Sequence, residues 1–151
     1  MRRGIDTGIG ILAIGGGAVG LVVAAMQIVR APPSLAIGLV VILFAIAYMF
    51  GIWCGVAILQ RRPGWLRMNR IFWGMQVVSI ASPLVSYSFS SGALFVVWGR
   101  LSPWGAGFHA WLGSNFDIAV GRDSHVLFGL NLFALAITVY LARKAAHRVA
   151  A

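Results

Sequence analysis

Glutamate is missing from the 151 residues altogether, acidic residues number three, and cysteine occurs once, as Cys54. A single cysteine can neither close an intramolecular disulfide nor supply the cysteine pair that thiol–disulfide chemistry requires. Charged residues make up 10% of the chain, against about 25% in soluble domains. The long apolar stretches contain no Asp, Glu, Lys, Arg or His. Coupled carriers, pumps and voltage sensors generally rest on an ionisable side chain at membrane depth, which argues against those classes. His109, His125 and His147 all lie outside the apolar stretches, so paired axial ligands for a buried haem are missing as well. The spacings of His109, Asp117, Asp123 and His125 match no metal-ligand motif. The expectation is a non-enzymatic chain with no cofactor and no metal.

What is present is apolar. Hydrophobic residues reach 60% and glycines number 19, a composition that suits lipid as the solvent. Stretches 8–29, 35–59, 71–89 and 126–142 each come within the range of about 17 to 25 residues that spans the hydrocarbon as a helix. They predict an all-α integral membrane protein, a single domain built as a four-transmembrane-helix bundle. Met1-Arg2-Arg3 before an apolar run resembles the start of a signal peptide, but the run exceeds the usual core of about 7 to 15 residues and no A-x-A site closes it.

The net charge is +9. Basic proteins often bind phosphate backbones, yet here the basic residues sit in short clusters between apolar runs, as topology signals do. Nucleic acid is therefore not an expected partner. Arg2, Arg3, Arg61, Arg62, Arg67, Arg70, Arg143, Lys144 and Arg148 fall on one side of a four-span arrangement, leaving Arg30, Arg100 and Arg122 on the other. The positive-inside rule makes the first side cytoplasmic, with both termini there. The compact chain and its preference for arginine suggest a bacterial inner membrane. Arg61, Arg62, Arg67 and Arg70 are candidates for contact with anionic lipid, each contributing about 1 kcal/mol near the surface.

Within the stretches, small residues form stripes: Gly17 and Gly20 on the first, Ala47, Gly51 and Gly55 on the second. Such stripes let helix backbones approach closely, within the bundle or against a partner. On the third stretch Gln76, Ser79, Ser82, Ser86 and Ser90 recur at steps of three and four, and on the fourth Asn131, Ala134 and Thr138 do the same. Helical spacing makes Gln76, Ser79, Ser82, Ser86, Asn131 and Thr138 an intramembrane polar face, either glue between helices or the wall of a small cavity.

Segment 90–124 is long for a passive loop. Phe116, Ile118 and Val120 alternate with polar or small neighbours, and 94–98 is rich in β-formers between Gly92 and Gly99. Both read as strands of a small outer cap. The functional expectation is an accessory or structural subunit that contacts membrane lipids and another membrane protein or a second copy. The alternative is a small pore or a binder of lipid or another hydrophobic ligand, built on the polar face of the third helix.

Overall fold

A computed structural model describes residues 2–30, 34–101, 103–120 and 125–149. Two long helices, α1 (Arg2–Arg30) and α2 (Leu35–Leu59), form a hairpin. They are the only described helices long and apolar enough to cross a membrane. Small residues set their separation. A Cβ on Gly17 would stand 2.7 Å from the carbonyl oxygen of Tyr48, and one on Gly55 would stand 2.6 Å from that of Gly10. Gly20 faces the Tyr48 ring, Gly51 faces the Phe72 ring, and Ala47 packs against the core.

After α2 the chain turns through Arg61, at φ 52°, and Gly64, at φ 76°, into a short helix α3 (Trp65–Gly74). Asn69 fixes α3 to the hairpin, its Nδ2 donating to the carbonyls of Cys54 at 2.9 Å and Trp65 at 3.0 Å. Here the structure departs from the four-helix bundle. Instead of a helix over 71–89, the chain forms β1 (Val78–Ala81) and β2 (Val85–Ser90). Pro83 and Leu84 are the corner between them, closed by Ser82, whose N–H and Oγ both reach the Val85 carbonyl, at 3.0 and 2.8 Å.

Four more strands follow: β3 (Ala93–Arg100), β4 (Gly105–Leu112), β5 (Asn115–Val120) and β6 (Leu127–Asn131). All pairings are antiparallel, in the order β4-β3-β6-β1-β2-β5. Strands are thus present at 94–98 and 116–120, but as members of a six-stranded sheet that recruits 78–90 and 127–131, not as a cap between two helices. The expected fourth span, 126–142, is corrected in the same way. It is strand β6 followed by α4 (Leu132–Val149), and α4 does not qualify as a span.

Asn131 makes the strand-to-helix switch. Its Oδ1 accepts from Ala134 N–H at 3.3 Å, an N-cap bond, and from Phe95 N–H at 3.2 Å. The core lies where the sheet meets the hairpin. Phe116 stacks on Phe44 with ring centroids 4.5 Å apart, and Phe89 meets Tyr48 at 5.2 Å and Phe72 at 6.3 Å.

Candidate functional site: a two-faced sheet docked on a helix hairpin

Side chains alternate across a strand, and residues paired in register share a face. Following the registers through the sheet separates a face with one polar side chain from a mixed face that holds the rest. One face carries Val78, Ile80, Val85, Phe89, Phe95, Val97, Phe108, Leu112, Phe116, Ile118, Phe128 and Leu130, with Tyr87 as its one polar group. Tyr87 is satisfied, its hydroxyl donating to the Met75 carbonyl at 2.8 Å. The other face holds every remaining polar strand residue, Ser79, Ser86, Ser88, Ser90, Arg100, His109, Asn115, Asp117 and Asn131, together with Leu94, Val96, Trp98, Trp111 and Leu127. Trp98 lies on the polar face between two glycines. A Cβ on Gly107 would sit 2.6 Å from its indole, and one on Gly129 would collide with Ser79 Oγ.

The hairpin covers only the β2–β5 end of the apolar face, through Phe44 and Tyr48. At the β4 end the face is open: Val97 is 43% exposed, Phe108 74% and Leu112 80%. An open groove of about 620 Å³ lies beside it, between Leu94, Phe95, Trp111, Leu112 and Phe133.

The sheet is anchored through its turns. The β2–β3 turn, Ser91-Gly92, presses on Gly16, where a Cβ would stand 2.6 Å from the Ser91 carbonyl carbon. Gly92 takes φ +92°, and a Cβ there would come within 2.9 Å of the Leu12 carbonyl oxygen. Ser114, in the β4–β5 turn, donates from Oγ to the Gly16 carbonyl at 2.5 Å. Gln76 joins in from the end of α3, accepting from Ser91 N–H at 2.7 Å and donating to the Phe72 carbonyl at 3.2 Å.

The expected polar face of a third helix is dispersed accordingly. Ser79 and Ser86 lie on the polar face of the sheet, Ser86 Oγ donating to Asp117 Oδ2 at 3.4 Å. Ser82 is a turn residue, Gln76 a buried tether, Asn131 an N-cap, and Thr138 bonds back to the Ala134 carbonyl within α4 at 2.8 Å. Of the arginines proposed to meet lipid, Arg61, Arg62 and Arg67 are exposed and Arg70 is half-buried. Arg62 lies over the Trp53 ring, 4.6 Å from its centroid.

A second polar constellation joins the two ends of the chain. Asp6, 5% exposed, receives both Lys144 Nζ, at 2.6 Å to Oδ1, and Tyr140 Oη, at 3.0 Å. Arg61 approaches to 3.9 Å, and the ammonium of Lys144 lies 5.2 Å from the centroid of the Trp65 ring. Sequence reasoning did not single out this cluster. The available signal was that Asp6 is one of three acidic residues and Lys144 the sole lysine. Asp123 lies outside the described residues, and among the described residues no three His, Cys, Asp or Glu side chains gather as metal ligands. No family model, curated protein or solved structure matches the chain.

Proposed function

We propose that the protein is a non-enzymatic membrane protein in which α1 and α2 cross the bilayer and the two-faced sheet is an assembly element. The observation that carries this reading is the exposed apolar surface on both the hairpin and the sheet. On α2, Leu39, Ile42, Leu43, Ile46 and Met49 are exposed, and on the sheet Val97, Phe108 and Phe128 are exposed. An exposed patch of this extent marks an interface with lipid or protein.

The docking point adds a physical constraint. Gly16 is the midpoint of α1 (Arg2–Arg30), about 21 Å from either end at 1.5 Å per residue. With α1 across a hydrocarbon layer of about 30 Å, the Ser91 and Ser114 turns reach mid-depth. The apolar face then meets lipid, while a strand edge at that depth has no water to satisfy its backbone groups and needs another polypeptide. The basic end of the hairpin, with Arg61, Arg62 and Lys144, is the cytoplasmic end on this reading, in a bacterial inner membrane. A second reading is favoured by the groove beside Phe95, Trp111 and Phe133: binding of a lipid chain or other hydrophobic ligand.

Alkaline extraction of membranes containing the full chain tests the first reading. Retention in the pellet, with a stoichiometric polypeptide recovered on purification in mild detergent, is the expected result. Release into the supernatant contradicts it. Co-purification of one lipid class with a homogeneous single-copy protein favours the second reading.

A further inference from the structure

We infer that the outer edge of β4 is a self-association edge, on which a second copy of this chain adds its own β4 antiparallel to the first. The inference rests on the reading of the sheet as an assembly element and goes beyond it by naming the edge, the partner and the symmetry.

The sheet ends at β4 on one side and β5 on the other. The two edges differ. β5 carries Asp117, whereas β4, which meets the same Ser114 turn at Leu112 and runs away from it to Gly105, carries no charged residue. Proteins protect an exposed edge with charge, proline, a bulge or short length. β4 has none of these. Its sequence Gly105-Ala106-Gly107-Phe108-His109-Ala110-Trp111-Leu112 contains no Lys, Arg, Asp, Glu or Pro. It pairs with β3 over its whole length without a bulge, from Ala93↔Leu112 to Arg100↔Gly105. Half of its N–H and C=O groups point outward with no described strand to meet them.

A second copy fits this edge because the edge is self-complementary. Directly opposed residues in an antiparallel pair share a face, so a two-fold axis perpendicular to the sheet sets apolar face beside apolar face and polar face beside polar face. With the axis at Ala110, Phe108 of one copy opposes Leu112 of the other on one side, and His109 opposes Trp111 on the other. No like charges meet along β4. Gly105, Ala106, Gly107 and Ala110 leave the backbones unobstructed, and the product is a continuous twelve-stranded sheet (two copies of the six strands).

The test uses the full chain with Cys54→Ser, reconstituted in lipid nanodiscs and in vesicles, with single cysteines placed in turn at 106 to 111 and, as a control, at Asn115 on β5. Oxidation is expected to give a disulfide-linked dimer that peaks at one or two β4 positions and is weak at position 115. Two copies per particle are expected for the parent protein. His109→Lys, on the polar face of the same strand, should yield one copy with unchanged circular dichroism and membrane retention, whereas Trp104→Lys in the preceding turn should remain at two. One copy per particle for the parent, equal yield at all positions, stronger linkage at 115, or linkage in native membranes to a different protein would each overturn the inference. Because alkaline extraction is scored separately, a monomer that stays in the membrane defeats this inference and leaves the membrane reading standing.

Discussion

Ser114 Oγ donates to the carbonyl oxygen of Gly16 at 2.5 Å, joining residues 98 positions apart. The acceptor lies in the middle of α1, where glycine leaves the helix backbone bare, and the adjoining turn at Ser91-Gly92 fills the space a Cβ would need. Two turns of the sheet thus meet the hairpin backbone at one glycine, beside the aromatic contacts of Phe44 and Tyr48.

Replacing Gly16 with alanine forces its Cβ into the Ser91-Gly92 backbone, which cannot yield as a flexible side chain would. The expected cost is about 1–3 kcal/mol. Gly15, one position away with nothing within 4 Å of its Cβ direction, is the control. Gly15→Ala should be neutral or stabilising by up to about 1 kcal/mol through helix propensity. Thermal unfolding of both variants in detergent measures the difference.

The Asp6–Lys144 pair joins the first turns of α1 to the last turns of α4 while nearly removed from solvent, with side-chain exposures of 6% and 16%. Breaking one side of such a pair strands the other charge, so Lys144→Met is expected to destabilise by about 3 kcal/mol. Asp6→Asn combined with Lys144→Met leaves no stranded charge from the pair and should cost less than the sum of the two single changes. A double-mutant cycle in denaturant reads the coupling.

Asn131 caps α4 and holds the Phe95 amide with one oxygen. Asn131→Ala should lose about 1–2 kcal/mol, and Asn131→Ser, which keeps an oxygen acceptor without burying a charge, should recover part of it. Amide exchange at Phe95 and Ala134 locates the effect: both should exchange faster in the alanine variant.

On the apolar face of β5, Ile118 packs against the core while Ser88 lies on the polar face. Ile118→Asp should disrupt the contact between sheet and hairpin, whereas Ser88→Asn, which adds no charge opposite Asp117, should fold as the parent does. Near-ultraviolet circular dichroism reports the aromatic cluster at Phe44, Tyr48, Phe89 and Phe116 in each case.

The physical reasons for what was legible are visible at particular residues. Stretch 35–59 is helix from end to end, because an unbroken run of 25 apolar residues fits one structure only. Stretch 71–89 reads as a helix from its hydropathy and from serines at 79, 82, 86 and 90, whose steps of three and four mimic a helix face. The period-two signal lay in Ser86, Ser88 and Ser90 alternating with Val85, Tyr87 and Phe89, and Pro83 marked the corner. In the fourth stretch the spacing makes Asn131 one polar residue of a helix, whereas it ends a strand and caps a helix. The Asp6–Lys144 contact spans 138 positions, and no local pattern records it.

On the proposed reading a sheet, and not a third and fourth membrane helix, meets lipid with one face. A nitroxide scan over 94–100 and 127–131 of the reconstituted Cys54→Ser protein measures this most directly, using oxygen and a water-soluble relaxant as collision probes. Oxygen collisions should peak at Phe95, Val97, Phe128 and Leu130 and fall at Val96, Trp98 and Gly129, a period of two that follows the register. A period near 3.6 residues through 127–131, or free access of the aqueous probe to both faces, would contradict it.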